Sequence, residues 1–193
     1  MQQSRATVVH GASPADRAVT LQLPAGDVGT DATCLAMRAV AEDAAANSQG
    51  VARLASTLRA GFVPRTLYDW LSAHVRFRRD EKGIEHIRHP DVLLAQIARD
   101  GVAQVDCDCL ATLACAVLLK ADMLRPCLVV VTRQSFPAEF AHVFYGTWMR
   151  NSALPWKLPD NVQPPAFVPY DPQERTPAGQ MPGGVRRFRV YPF

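Results

Sequence analysis

The chain has 193 residues, enough for one domain with a continuous core. Hydrophobic residues make up 48% and charged residues 20%, the balance of a water-soluble globular protein. A net charge of only +3 gives no electrostatic case for nucleic acid, and no apolar run approaches the ~20 residues that span a bilayer. The opening residues, 1–9, lack the long apolar stretch of a signal peptide, so synthesis in a cytoplasm is expected. The five cysteines, at 34, 107, 109, 115 and 127, follow no framework spacing and read as free thiols.

Residues 1–18 are polar, carry Gly11 and Pro14, and read as a flexible N-terminal arm, leaving 19–193 as a single domain. A short alternation follows, with Val19, Leu21 and Leu23 on one face, and the chain turns over 24–29. Thr30 or Asp31 caps a helix running to 47, with Met37, Val40, Ala41 and Ala44 at helical spacing. A second helix over 51–60 lines up Val51, Leu54, Ala55 and Leu58 and stops at Gly61. A third, after Pro64, aligns Leu67, Trp70 and Leu71. Residues 75–79 alternate as a short strand, and Pro90 introduces a helix over 91–99. The segment 108–121 is apolar on so many sides that it must be buried centrally. Strands are then predicted over 127–131, 140–148, 166–170 and 186–191, separated by Pro-rich loops. In the second of these, Phe140, His142, Phe144 and Trp148 share a face. Helices first and antiparallel strands afterwards predict an α+β domain, a helical N-terminal half whose central helix packs on an antiparallel sheet.

Chemistry concentrates at Asp106-Cys107-Asp108-Cys109, where the central helix begins. A thiol there meets unpaired backbone N–H groups and the positive end of the helix dipole, and both favour thiolate. His142, in a strand expected to lie against that helix, can serve as base and then as acid toward a leaving amine. Asp171, at the end of the next strand, can accept from the other ring nitrogen. Cys107, His142 and Asp171 are therefore the expected catalytic triad, with a depressed Cys107 pKa.

These residues resemble the transglutaminase-like superfamily, the papain-related cysteine enzymes, in its short bacterial and phage type. The family's Gly-Asp-Cys-Asp-Asp signature is approached by Val105-Asp106-Cys107-Asp108-Cys109 and the helix after it. Its His-Val-aromatic signature is matched by His142-Val143-Phe144, and its strand ending in Asp-Pro by Val168-Pro169-Tyr170-Asp171-Pro172. Looser similarity runs through Leu23-Pro24-Ala25-Gly26-Asp27 and through Asp80, Gly83, Glu85, Ile87 and Pro90. Val105 stands where the family has Gly, and Cys109 where it has a second Asp.

The resemblance implies acyl chemistry at an amide-bearing or peptide substrate: attack by the cysteine, a thioester, then resolution by water or an amine. Hydrolysis is favoured, because small members lack the extra domains of the large crosslinking enzymes. No cofactor and no metal are expected, and neither a nucleic-acid nor a membrane partner. The alternative, suggested by the phage-like upstream pattern, is a virion or tail-assembly module that binds phage structural proteins through the same fold.

The remaining candidates read as structural. Cys34, Cys115 and Cys127 fall in apolar segments and read as core. Cys109 faces another side of its helix from Cys107. A metal site from Cys107, Cys109 and His142 lacks common zinc spacing. His86 and His89 fall in an expected surface loop, and His74 near a helix C-terminus. Trp156 lies in the loop between the His and Asp strands, where it either roofs the site or packs that loop down. Arg186, Arg187 and Arg189 read as the solvated face of the last strand.

Overall fold

The computed structural model describes residues 6–9, 17–21, 26–80, 85–122, 124–149 and 153–193. Leu23, the turn at 24–25, Gly83 and most of the expected arm (1–5 and 10–16) lie outside the described residues.

The fold is mixed, with five helices and three sheets among the described residues. Part of the segment read as a flexible arm, Ala6–Val9 (β1), pairs antiparallel with Ala18–Leu21 (β2). β2 in turn pairs with Glu85–Arg88 (β4), so the stretch expected to be a loop around His86 is a strand. Its few residues carry no period-2 signal that could be read in isolation. Between these strands run three helices, Asp27–Asn47 (α1), Gln49–Leu58 (α2) and Val63–His74 (α3). Val75–Phe77 (β3) leaves α3 and pairs parallel with Ala103–Val105 (β5), after Pro90–Asp100 (α4).

Local chemistry sets the helix boundaries. The Ser48 hydroxyl accepts the Val51 N–H at 3.0 Å, capping α2 directly behind α1. Pro90 opens α4 and Gly101, at φ 78, closes it in the left-handed conformation. His89 is buried and caps α4, its ring accepting the Asp91 N–H at 3.2 Å. It is therefore structural, not a surface residue as its loop-like context predicts. His74 fits its prediction: Nδ1 bonds the Trp70 carbonyl at 2.8 Å in the last turn of α3.

The central helix, Cys107–Ala121 (α5), is walled on every side, with Leu113, Ala114, Cys115 and Val117 wholly buried. Each fully buried leucine or valine there stabilises the fold by about 2 kcal/mol. Below α5 lies a four-stranded antiparallel sheet in the order β8-β7-β6-β9, built from Arg125–Arg133 (β6), His142–Trp148 (β7), Val168–Tyr170 (β8) and Val185–Pro192 (β9). Leu128, Val130, Val143 and Tyr145 face the helices; Val129, Val131, Phe144 and Trp148 form a second core on the opposite face. Phe167 covers that second face by lying over Gly146, where a Cβ would sit 2.3 Å from its ring. Only glycine fits there.

The arginines of β9 are not a solvated face. Arg189 is 7% exposed and donates to Asp27 at 2.8 Å and Asp160 at 2.6 Å. Arg187 joins the same two carboxylates, and Lys157 and the Tyr191 hydroxyl bind Asp31 at 2.7 and 2.6 Å. This network ties the start of α1 to β9. Arg186 alone of the three is exposed. Trp156 stacks toward Tyr191 with ring centroids 5.5 Å apart, so its loop is packed on β9.

Candidate active site

Asp106 is the N-cap of α5, its carboxylate accepting the Cys109 N–H at 3.3 Å, and Cys107 is the first helical residue. The tight β5–cap–helix turn is made with Val105 buried, without the glycine the family uses there. Cys107 is half-buried, and the backbone N–H of Val143 bonds its sulfur. The nucleophile candidate therefore sits against the start of β7, the strand that begins with His142.

The imidazole and carboxylate meet through sheet register. Tyr145 pairs with Tyr170, so the next residue past β8, Asp171, comes opposite Phe144. His142 and Phe144 share a face of β7, which sets the carboxylate diagonally beside the ring. His142 Nε2 lies 2.7 Å from Asp171 Oδ2, and both side chains are buried, at 8% and 1% exposure. A carboxylate accepts, so Nε2 carries the hydrogen and Nδ1 is left as the basic nitrogen. Asp171 Oδ1 accepts the Glu174 N–H at 3.2 Å, and its backbone carbonyl accepts the Thr176 N–H at 3.2 Å. The Tyr68 hydroxyl bonds the Thr176 carbonyl at 2.8 Å, fastening this turn to α3. Glu174, paired with Arg133, stands 4.0 Å from His142 Nε2. Among the described residues no hydrogen bond joins the Cys107 thiol to the imidazole.

The thiol's surroundings reverse the expected pKa. Burial pushes the Cys107 thiol up, and the charges of Asp108, Asp106 and Glu85 push it further; the Val143 N–H opposes them. The expected low value set the helix terminus and His142 against Asp106 and Asp108, turned to solvent or to backbone N–H groups; both accept the Cys109 N–H, and both are buried. They belong to a row of four carboxyls, Asp80, Glu85, Asp106 and Asp108, whose charges act on one another. Burial and the neighbouring Asp106 raise Asp108 well above the ordinary range. Burial and Asp106 raise Asp80, and burial raises Glu85. Burial works upward on Asp106 too, yet bonds from Asp108, Asp80 and Cys109 hold it low. Asp80 and Glu85 come from a distant stretch of chain, and no spacing signal links them to Cys107.

Cys109 is committed elsewhere: its sulfur donates to the His86 carbonyl at 3.0 Å and accepts the Arg88 N–H at 3.2 Å. It pins α5 to β4, so Cys109 is a structural contact. Cys107, Cys109 and His142 do not gather as ligands for one ion. The close sets among the described residues are Asp106, Asp108 and Cys109, and His142, Asp171 and Glu174. Cys34, Cys115 and Cys127 are buried core thiols, as their sequence context predicts.

The chain matches no protein-family model, and neither the search of curated proteins nor that of solved structures returns a match. No helix among the described residues is long and apolar enough to cross a membrane.

Proposed function

We propose that this protein is a cysteine-dependent amide hydrolase or acyltransferase with a transglutaminase-like fold, hydrolysis being favoured. Cys107 is its nucleophile, His142 its base and Asp171 the residue that orients the imidazole. The observation that carries this reading is the buried His142–Asp171 pair, closed at 2.7 Å on the strand whose next residue bonds the Cys107 sulfur. A surface histidine needs no such partner, and a buried imidazole held from one side presents its other nitrogen in a fixed direction. The order of elements, helices first and α5 laid on an antiparallel sheet, supports the same fold.

Because its surroundings favour the neutral thiol, Cys107 works by general-base activation. His142 Nδ1 takes the thiol proton as the sulfur attacks the amide carbonyl carbon. Apo sites are looser than reacting ones, so the thiol and ring close on substrate binding. The tetrahedral oxyanion forms near the Cys107 backbone N–H, which has no intrahelical acceptor at the first position of α5. The imidazolium returns its proton to the leaving nitrogen, the C–N bond breaks, and a thioester remains. Water, losing a proton to His142, then attacks the thioester. The C–S bond breaks and the sulfur regains a proton, releasing the carboxylic acid.

A peptide-based electrophile incubated with the folded protein should form a covalent adduct at Cys107 by mass spectrometry. His142→Ala should slow it about a hundredfold or more, the usual contribution of a general base. Adduct formation that is no faster at Cys107 than at free cysteine, in a natively folded sample, would sink the enzymatic reading. The raised thiol favours a second reading, an assembly module that binds through this fold without turnover. In that case Cys107→Ala leaves function intact.

A further inference from the structure

We infer that the cleft beside the triad is a subsite for an acidic side chain of a peptide substrate, with Arg175 as its principal charge. This rests on the reading of Cys107 as an acyl-accepting nucleophile. The cleft lies between the helical half and the sheet half, and its floor is apolar, formed by Leu71, Val105, Leu110 and Pro172. Val105 and Leu110 bracket Cys107 in the chain and Pro172 follows Asp171 directly, so the cleft is walled by chain neighbours of two triad residues, although no triad residue itself lines it.

Three features of the rim specify what fits. Arg175 is exposed and makes no hydrogen bond or ion pair among the described residues. The carboxylates nearest it in the chain are already engaged, Asp171 with His142 and Glu174 with Arg133. Arg175 also holds φ 53, a backbone conformation that side chains other than glycine rarely adopt. Across the cleft, Arg76 is fixed by Nη1 bonds to the Ser72, Ala73 and Val75 carbonyls, leaving its other N–H groups free to donate. Beside it Phe77 is 53% exposed, and Arg78 and Arg79 are exposed without an ion pair among the described residues. Between the arginines, Gln173 Oε1 is buried and accepts no hydrogen bond. A buried acceptor without a donor is uncommon in native proteins. An extended peptide supplies that donor as a backbone N–H while its carboxylate side chain meets the guanidinium groups, a bidentate pairing that arginine suits. None of Asp80, Glu85, Asp106 and Asp108 is among the residues lining the cleft.

The test measures binding apart from chemistry, on the full chain carrying Cys107→Ala. Fluorescein-labelled Ala-Glu-Ala-Gln-Ala is titrated by anisotropy beside Ala-Gln-Ala-Gln-Ala and Ala-Lys-Ala-Gln-Ala. The acidic peptide should bind about tenfold tighter than the neutral one, a difference of about 1.4 kcal/mol. That margin should shrink with added salt. Arg175→Gly takes φ 53 without strain, so the turn holding Asp171 persists, and it should abolish the preference. Arg175→Glu should turn it toward the lysine peptide. Acidic and neutral peptides binding equally, or not at all, overturns the subsite, as does a preference that survives both variants. Adduct formation at Cys107 is scored separately, so an acid-selective cleft on a protein without turnover sinks the enzymatic reading alone.

Discussion

Two clusters of carboxylates, one gathered at the start of α1 and one at the start of α5, are treated by the fold in opposite ways. Asp27, Asp31 and Asp160 are met by Arg187, Arg189, Lys157 and the Tyr191 hydroxyl. Asp80, Glu85, Asp106 and Asp108 have one another, backbone N–H groups and the His86 ring, with no arginine or lysine ion pair among the described residues. The side-chain bond from Arg189 holds Asp27 below its ordinary value, against burial, whereas Asp108 is driven well above its own. The first cluster fastens α1 to β9. The second lies beside the candidate nucleophile and raises its thiol, where the first is met by arginine. Placed beside a thiol, that difference decides whether the resting sulfur is ionised.

Removing the cation should have the largest effect on stability. Arg189→Ala leaves Asp27 and Asp160 facing an apolar gap, and breaking a buried pair costs about 3 kcal/mol or more. Because the partners are partly exposed, the low end of that range is expected, read as a lower urea midpoint. Asp108→Asn should behave oppositely, since the amide keeps the Oδ1 acceptor for the Cys109 N–H and adds a donor toward its carboxyl neighbours.

The two clusters should also tilt the pH profile in opposite directions. Asp27 has a lowered folded pKa, so its stabilisation is present above the ordinary carboxylate value and lost as pH falls through the folded one. Asp80, Glu85 and Asp108 have raised folded values. Their contribution is complete below the ordinary value and lost as pH rises through the folded ones. Urea unfolding across the acid to neutral range should find the acid limb flattened in Asp27→Asn and the upper limb flattened in Asp108→Asn. Identical profiles in the two variants would dissolve the contrast.

A smaller effect is expected on the thiol itself. With one neighbouring charge removed, Cys107 in Asp108→Asn should react with iodoacetamide about fivefold faster at mildly alkaline pH, within the tenfold of one pKa unit. Asp27→Asn should leave that rate unchanged. At the bottom of the scale, Arg65→Ala removes an exposed pair with Asp69 and an exposed contact over the Tyr68 ring, and its urea midpoint should lie close to the parent's.

Long periodic segments were legible from the sequence. The central helix, three of the other helices' apolar stripes and the four strands of the main sheet fall where period and punctuation put them, within a few residues. Periodicity over four or five turns outweighs any local ambiguity. β4 and β5 were not legible, because three or four residues carry too little pattern and are strands only through partners distant in sequence. The same limit hid the true role of the arginines on β9: alternation predicts that one side of a strand is polar, not that Asp27 and Asp160 will cover it.

By itself the sequence determined the residue types at the site and their order. Cys107 stands at a helix start, His142 within a strand and Asp171 just past a strand end, because capping, alternation and an Asp-Pro break are local properties. Tertiary structure alone decided what surrounds them. The β7–β8 register closed His142 on Asp171, and the packing of α5 against β4 buried Asp106 and Asp108 beside Asp80 and Glu85. Protonation depends on desolvation and on charges a few ångströms away, and those neighbours come from segments whose meeting no local pattern encodes.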